Sequence, residues 1–404
     1  MSFLSYTESI DRLLVLDTGR VRVEKVPLPE ALGRTLAEHI VADEDYPRHP
    51  TAAMDGYAVR AADQGSGTIA LDAGDNPAGS DQRPAVGAGT AVKTFTGAKM
   101  PEGADTLIPI ENVTVLDGAI RINEPVKEGF SVRPVGESYF KGEILIPAGT
   151  KIGYAEIGVM AGLNRVMVPV ARRPRVGVLS TGSEILDLGE RERTDSQIRS
   201  SNNYTIAALA QSAGAEAVQL GTAEDDRESI TRAFENALAC SDIVVSTGGV
   251  SVGDYDFVKD VVPALGAAVV YKGVRIKPGQ HIMVAQRGSQ FILALPGFAF
   301  SSTVTFILYA LPLIRKMLGR DPGHAMVEAV LAEPFSKRSN KSEFTACNLR
   351  MRDGKYLIDF EEKKTASSAV LTNMLGDAAL MITDESDGPL DAGTVVRAIR
   401  LDRL

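Results

Sequence analysis

Residues 242–256 read DIVVSTGGVSVGDYD and combine an apolar run, paired glycines and two nearby carboxylates, Asp254 and Asp256. A short apolar run that ends in glycine predicts a buried β-strand followed by a tight turn. Glycine-rich turns after strands bind phosphate through backbone N–H groups, but these carboxylates would repel a phosphate unless a cation lay between them. The stretch therefore predicts a strand of a parallel sheet whose loop binds an anion together with a hard cation.

The same strand-and-turn pattern recurs on both sides of this stretch. Between residues 173 and 320, apolar strand-like runs alternate with amphipathic helical runs. The strand-like runs are RVGVLSTG, EAVQLG, DIVVSTGG, AAVVY, HIMVA and FILALPG, and the helical runs are NNYTIAALAQSAG, RESITRAFENALA, a short one near 255–263 and a long one near 300–317. This alternation predicts a doubly wound α/β domain with a largely parallel sheet.

The flanking regions have different patterns. Residues 5–17 place leucines and isoleucine at helical spacing behind Ser5 or Thr7, which predicts one opening amphipathic helix. Residues 44–150 contain short apolar runs separated by Gly, Pro, Asn and Asp, which predicts a β-rich region. Residues 325–404 predict a small C-terminal β domain or barrel. The 404 residues therefore form an α/β multidomain protein.

Composition restricts the class of function. The net charge of -9 and the absence of a Lys/Arg run argue against nucleic-acid binding. Cys240 and Cys347 are far apart in sequence, which argues against a disulfide framework or a thiolate zinc site and predicts a reducing, cytoplasmic location. The sequence contains no apolar run long enough to predict a membrane helix or a signal peptide. The scattered histidines are predicted to be loop residues rather than metal ligands: His39, His49, His281 and His324.

Two strand-end loops have similar sequences, Leu179–Glu184 and Val245–Ser251, and both contain Ser-Thr-Gly. Ligands of parallel α/β sheets bind beyond the carboxyl ends of the strands. Either loop alone could be an ordinary turn, but two such loops in one domain favour an anion-binding site.

Carboxylates follow three strands at the same predicted edge: Glu184, then Asp225 and Asp226, then Asp254 and Asp256. Asp225 and Asp226 could instead begin the helix at residue 227 as N-terminal caps. Carboxylates beside a phosphate site predict Mg²⁺, which prefers oxygen ligands and bridges the two groups.

A basic run, VVYKGVRIKPG, contains Lys272, Arg275 and Lys277. Alternate residues of a strand share a face, so Arg275 and Lys277 are predicted to point together towards an anion. Solvated charges at a sheet edge are the alternative interpretation of this run.

Six motifs occur in a fixed order along most of the chain. They are AMDGYAV within Pro47–Val59, FTGAKMPEGAD (Phe95–Asp105), LSTGSE (Leu179–Glu184), Ser201–Tyr204, STGGVSVGDYD (Ser246–Asp256) and KPG (Lys277–Gly279). Together they resemble the MoeA family of molybdopterin molybdenumtransferases, which is related to the E domain of gephyrin.

The resemblance implies a fold. It implies an N-terminal helix (1–23) that packs with a MogA-like α/β domain (173–320), a connecting domain (24–43 and 143–172), an inserted β-rich domain (44–142) and a C-terminal β-barrel (321–404). It also implies a homodimer whose substrate cleft lies between the α/β domain of one subunit and the C-terminal domain of the other.

The resemblance also implies a reaction: insertion of molybdate into adenylylated molybdopterin, with release of AMP and molybdenum cofactor. A MogA-type adenylyltransferase would be the donor of the substrate, and Mg²⁺ the cofactor. The catalytic residues implied are Asp55, Glu184, Asp225, Asp256 and Lys277, of which Glu184, Asp225 and Asp256 would hold the metal. The substrate-binding residues implied are Thr96, Thr181, Gly182, Ser183, Gly248, Gly249, Ser251, Lys272, Lys341 and Ser368.

Three motifs depart from the family pattern. Ser138 replaces a carboxylate, Phe298-Ala299 replaces Asn-Pro, and Gln280-His281 replaces Lys-Pro. These departures leave an alternative open: a divergent paralogue that binds a pterin or nucleotide, or scaffolds cofactor enzymes, without inserting metal.

Overall fold

The structure, a computed structural model, describes residues 3–81, 84–250, 256–337 and 339–403. The chain divides by its internal contacts into two units. The first unit comprises residues 1–38, 148–157 and 166–404, and the second comprises residues 39–147 and 158–165. The inserted β-rich region predicted for 44–142 therefore falls wholly within the second unit.

Helix α1 (Tyr6–Leu14) opens the first unit, in agreement with the predicted opening helix. Ser5 and Glu8 form a capping box at its start. The Ser5 hydroxyl accepts from the Glu8 N–H at 3.2 Å, and the Glu8 carboxylate accepts from the Ser5 N–H at 2.8 Å. This reciprocal pair satisfies N–H groups that a helix start leaves free. Strand β1 (Val23–Pro27) follows.

The second unit consists mainly of short strands, which confirms the predicted β-rich region. They are β2 (Ile40–Val41), β3 (Thr51–Ala52), β4 (Gly56–Val59), β5 (Thr68–Asn76), β6 (Thr90–Thr94), β7 (Thr106–Pro109), β8 (Val113–Leu116), β9 (Ala119–Ile122), β10 (Val132–Arg133) and β11 (Ile144–Ile146). Six of them form a sheet in the order β7-β4-β6-β5-β9-β8. The apolar side chains of β4 lie in its core, because this strand has neighbours on both sides.

Helix α2 (Tyr154–Gly162) contributes residues to both units, and strand β12 (Met167–Ala171) belongs to the first. Strand β12 pairs antiparallel with β1, and Val23 lies opposite Ala171.

The α/β part of the first unit contains the predicted alternation of strands and helices. Its strands are β13 (Arg175–Thr181), β14 (Ile185–Leu186), β15 (Ile198–Arg199), β16 (Glu216–Ala223), β17 (Ile243–Thr247), β18 (Ala268–Lys272), β19 (Ile276–Lys277), β20 (Met283–Arg287) and β21 (Gln290–Leu295). Six of them form one sheet in the order β16-β13-β17-β21-β20-β18. The first four are parallel to one another, and β20 runs antiparallel to both of its neighbours, β21 and β18. The largely parallel sheet is therefore confirmed.

Helices cover both faces of this sheet because its central strands are apolar on both faces. They are α3 (Asn202–Ser212), α4 (Arg227–Cys240), α5 (Val258–Ala264), α6 (Ala299–Thr305) and α7 (Leu311–Met317). Ile243 and Val245 of β17 face one core, whereas Val244 faces the other. The long helix predicted near 300–317 consists of α6 and α7 joined by a π-helical turn, Phe306–Ala310.

The chain ends in a β-barrel, as predicted. Its strands are β22 (Met326–Leu331), β23 (Ser342–Arg352), β24 (Lys355–Asp359), β25 (Ala378–Thr383) and β26 (Val395–Arg400). They close in the order β23-β24-β22-β26-β25, with β25 paired back onto β23, and β19 adds to β23 from outside. Leu380 and Ile382 of β25 belong to the core shared with the α/β part, whereas Ala379 and Met381 fill the barrel. Alternate side chains of β25 therefore point to opposite faces, and one face packs against α6 and α7.

No described helix is long and apolar enough to cross a membrane.

His324 lies between α7 and β22, and its burial predicts how folding stability depends on pH. Both ring nitrogens are buried. Burial, and then the charge of Arg315, lower the pKa of this imidazole to about 4, although a backbone interaction with Leu308 opposes the shift. An unfolded histidine titrates near pH 6.5, so below that pH the unfolded chain binds the proton more readily and folding stability falls as pH falls towards 4.

Because of His324, we expect the free energy of unfolding to fall by about 2 kcal/mol as the pH is lowered from about 7 to about 5. His324→Gln should make the free energy of unfolding less dependent on pH in that window. Urea unfolding of both proteins, followed by circular dichroism, measures the difference. If the wild type and the variant lose the same stability between the two pH values, the assignment is wrong.

Candidate functional site

Two glycines after β17 bring three strand ends together. Gly248 has φ +94°, and a Cβ built there would lie 2.8 Å from the Thr181 carbonyl oxygen at the end of β13. The Gly248 N–H donates to the carbonyl of Leu295, the last residue of β21, at 3.1 Å. Gly249 has φ +64°, and its Cβ would lie 2.9 Å from Thr181 Oγ1. Only glycine fits these two positions without strain, and the backbone of the loop is left open to a ligand.

A buried polar network fixes the ends of β13 and β17. Ser180 Oγ donates to Asn203 Oδ1 at 2.7 Å and lies 3.0 Å from Thr247 Oγ1. Thr181 Oγ1 is buried and has no hydrogen-bond partner among the described residues. Since a buried hydroxyl without a partner costs free energy, Thr181 is suited to bind a polar ligand atom.

These strand ends open into a cavity of about 930 Å³. The α/β part lines it with Thr181, Gly182, Gly248 and Gly249, and the barrel region lines it with residues that include Lys341 and Ser368. One chain supplies the residues on both sides of this cavity. That the C-terminal side of the substrate cleft comes from a second subunit, as the resemblance implied, stays a prediction.

Three of the predicted carboxylates, Glu184, Asp225 and Asp256, line this cavity. Asp226 instead caps α4, because its side chain accepts from the Ser229 N–H at 2.8 Å. The alternative reading of the pair as helix caps therefore holds for Asp226 but does not account for Asp225. Within the part of the chain that the structure describes, no three Asp, Glu, His or Cys residues are grouped closely enough to hold a metal ion.

Ser183 lies beside the cavity lining rather than in it. Its N–H donates to Asp225 Oδ2 at 3.1 Å, and its hydroxyl accepts from the Asp225 N–H at 3.3 Å. Ser183 therefore positions Asp225. Ser251 and Asp254 lie outside the described residues.

Two lysines line the cavity. Lys277 Nζ lies 3.5 Å from the Glu343 carboxylate, and Lys341 Nζ donates to the side-chain carbonyl of Gln280. Ser368 also belongs to the lining, and its carbonyl accepts from the Ser301 N–H at 3.2 Å. The ammonium groups of this set can attract an oxyanion.

The basic run divides differently from its predicted pattern. Arg275 pairs with Glu385 at 2.9 Å and so does not join Lys277 in the cavity. The described lining residues do not include Lys272, which ends β18. The strand β19 holds only Ile276 and Lys277, too short to keep Arg275 on a common face with Lys277.

Sequence reasoning did not predict that His281 and Glu343 would line the cavity. His281 lines the cavity, and burial lowers the pKa of its imidazole, with Lys341 and Lys272 adding to the effect and Asp256 opposing it. Glu343 is only 4% exposed and accepts from Ser339 Oγ at 2.6 Å. The sequence signal for His281 was its place in Gln280-His281, the pair that follows the Lys-Pro-Gly motif, and no sequence pattern pointed to Glu343.

Asp55 and Thr96 lie together in the second unit. Asp55 Oδ1 accepts from the Thr96 N–H at 2.8 Å and from its hydroxyl at 2.6 Å. These two hydrogen bonds hold the pKa of the Asp55 carboxyl below its usual value. In the same unit Ser138 Oγ accepts from Arg133 at 3.5 Å, at the position where the resemblance led us to expect a carboxylate.

Two family models match successive parts of this chain. Residues 4–163 match the MoeA N-terminal region (domain I and II), and residues 177–316 match a probable molybdopterin binding domain. The molybdopterin biosynthesis moeA protein of Pyrococcus horikoshii superposes with a TM-score of 0.84 at 27% identity, covering 99% of this chain and 100% of that chain.

Curated relatives are similar over most of the length. A molybdopterin molybdenumtransferase of Nostoc sp. is 33% identical over 94% of this chain and 88% of its own. One of Bacillus subtilis is 31% identical over 83% of this chain and 80% of its own. This chain belongs to the molybdopterin molybdenumtransferase family. Gln280, His281, Phe298 and Ala299, where the resemblance led us to expect Lys-Pro and Asn-Pro, all line this cavity.

Proposed function

We propose that this chain is itself a molybdopterin molybdenumtransferase, which inserts molybdate into adenylylated molybdopterin and releases AMP and molybdenum cofactor. The observation that carries the proposal is the cavity. It combines glycine loops for phosphate, carboxylates for a cation and lysines for an oxyanion within one chain of this family.

The phosphates of the substrate are proposed to lie against Gly182, Gly248 and Gly249. Backbone N–H groups at the carboxyl ends of parallel strands stabilise negative charge without requiring a basic surface, which this acidic chain lacks. The buried hydroxyl of Thr181 supplies a further polar contact to the same ligand.

Glu184, Asp225 and Asp256 are proposed to hold Mg²⁺ together with the substrate. Protein sites for Mg²⁺ commonly supply one or two carboxylates and leave the other positions to water and substrate phosphate oxygens. Glu184, Asp225 and Asp256 line one cavity, but among the described residues they are not close enough to hold a metal ion by themselves. This arrangement fits a site that the substrate completes. When bound, the ion would neutralise charge on the pyrophosphate. The three carboxylates would hold the ion at this edge of the cavity.

The molybdate is proposed to bind near Lys277, Lys341 and Ser368. The two ammonium groups draw in a dianion, and the contact of Lys341 with Gln280 holds its Nζ at the cavity wall. Glu343 orients Lys277 and also reduces the net positive charge there. Proposed roles for Asp55, Thr96 and Lys272 in substrate handling rest on the family motifs alone.

A MogA-type adenylyltransferase is proposed as the donor of the adenylylated substrate, and the compartment is proposed to be the cytoplasm. Cys240 and Cys347 are both free thiols in the structure, which supports a reducing compartment.

The chain is further proposed to act as a homodimer. Tyr154, at the start of helix α2, is an apolar side chain that is 91% exposed. A large apolar side chain exposed to this degree fits a protein–protein contact.

Tyr154→Glu is expected to convert the dimer into a monomer, because it places a charge in an apolar interface. Tyr154 is so exposed that the substitution should not disturb folding of the single chain. Size-exclusion chromatography with light scattering measures the mass. Val395→Glu, at a barrel position that is 60% exposed, is the matched control and should leave the mass unchanged. A dimer that survives Tyr154→Glu would show that α2 is not the interface.

The proposed reaction is tested by incubating the purified protein with adenylylated molybdopterin, Mg²⁺ and molybdate, and measuring AMP. Molybdate-dependent release of AMP is expected. Tight binding of the substrate without release would favour the paralogue that binds but does not insert metal.

A further inference from the structure

Phe298 presents an aromatic ring on the wall of the cavity. Its side chain is 62% exposed, although phenylalanine is ordinarily a core residue. Its neighbours in the lining include glycines, hydroxyl groups, carboxylates and lysines. An apolar ring exposed in a polar cavity gains free energy only if a ligand covers it.

The backbone on both sides of Phe298 is fixed. The carbonyl of Gly297 accepts from Asn202 Nδ2 at 2.7 Å. The carbonyl of Phe298 itself accepts from the Ser302 N–H at 2.8 Å, because Phe298 is the N-cap of α6. The ring is therefore attached to a rigid element, and a ligand that covers it would not have to order a loop first.

A second apolar side chain in the lining of this cavity is also exposed. Ile198 of β15 is 55% exposed and also belongs to the cavity lining. It lies four residues before Asn202, whose side chain bonds to Gly297 next to Phe298. Ile198 pairs with Ile185 of β14, another lining residue, which gives this edge an aliphatic surface.

We propose that Phe298 is a positioning residue that stacks on a planar heteroaromatic ring of the ligand, with Ile198 as an aliphatic contact beside it. The inference rests on the proposed function, since that substrate carries two such rings, the adenine and the pterin. Stacking on a protein aromatic side chain tolerates either ring because both offer a π-face. This chain would thus replace a polar contact at the family's Asn position with a stacking contact.

A tryptophan reporter tests the proposal directly, because the chain contains no tryptophan. Phe298→Trp places a single indole on the cavity wall. AMP and neopterin are titrated separately in the absence of molybdate, with tryptophan emission as the signal. We expect one or both probes to quench the emission, and the probe that does so identifies the ring. Met351→Trp, at a position 59% exposed on β23 and outside the described lining, is the control and should not respond.

Calorimetry of the same probe supplies the second measurement. Phe298→Ala is expected to weaken its binding roughly tenfold, whereas Phe298→Tyr, which keeps the ring, should bind as the wild type does. No quenching by either probe, or equal affinity of the wild type and Phe298→Ala, would overturn the inference. Failure of the proposed reaction is distinguishable, because these titrations involve no turnover and the AMP-release assay does not depend on the reporter.

Discussion

Replacement of Asp256 by asparagine is expected to lower the rate of molybdate-dependent AMP release about 100-fold or more. Asp256 lines the same cavity as Gly248 and Gly249, the glycines that we propose to bind phosphate. Asparagine keeps the size of the side chain but removes the charge that would hold Mg²⁺ at the pyrophosphate. The loss should be accompanied by a higher Mg²⁺ concentration for half-maximal rate.

Asp260→Asn provides the matched control for this prediction. Asp260 lies four residues further on, in the first turn of α5, and is exposed outside the described cavity lining. Its replacement should leave the rate within about twofold of the wild type. Wild-type turnover of Asp256→Asn with an unchanged Mg²⁺ requirement would remove Asp256 from the site.

The second large effect is expected at Gly248. Gly248→Ala forces a side chain into a left-handed backbone conformation and places its Cβ 2.8 Å from the Thr181 carbonyl oxygen, which cannot move without distorting β13. We expect a loss of about 2–3 kcal/mol in the free energy of unfolding. We also expect substrate binding to weaken by about tenfold or more, because the loop can no longer approach the phosphates.

Gly288→Ala separates backbone strain from damage to the site. Gly288 also has a positive φ, +59°, but a Cβ there meets nothing within 4 Å. It lies in the hairpin between β20 and β21, away from the described lining. This variant should lose about 1–2 kcal/mol of stability and bind substrate normally. Equal affinities for Gly248→Ala and Gly288→Ala would show that the Gly248 loop does not bind the substrate.

The α/β part was predictable from sequence because its signals are local. Apolar runs that end in glycine identified β13 and β17, and helical periodicity identified α3 and α4. Carboxyl ends of parallel strands meet at one edge, so the strand-end carboxylates could be assigned to one cavity without knowledge of side-chain contacts.

The contribution of the barrel to the cavity was not predictable in that way. Glu343 and Lys341 reach the cavity only because β19 adds to β23 and the barrel packs on α6 and α7. Such long-range packing leaves no periodic pattern near either residue. Lys341 and Ser368 could be proposed only through the family resemblance.

Strand boundaries explain the error over Arg275 and the exclusion of Lys272 from the lining. A pattern of alternate charges predicts one face only if the whole run is a strand, and here the strand breaks between β18 and β19. Asp225 and Asp226 show a second limit of prediction from sequence. One residue caps a helix and its neighbour lines the cavity, a distinction that depends on side-chain direction rather than on residue type.

The most direct test of the central claim is the stoichiometry of a single incubation with adenylylated molybdopterin, Mg²⁺ and molybdate. AMP and pterin-bound molybdenum are quantified in the same sample. If this chain inserts the metal, the two products should rise together in a ratio of about one to one, and both should vanish when molybdate is omitted. AMP that appears without molybdate, or without molybdenum bound to the pterin, would contradict the account and assign the cavity to hydrolysis or binding alone.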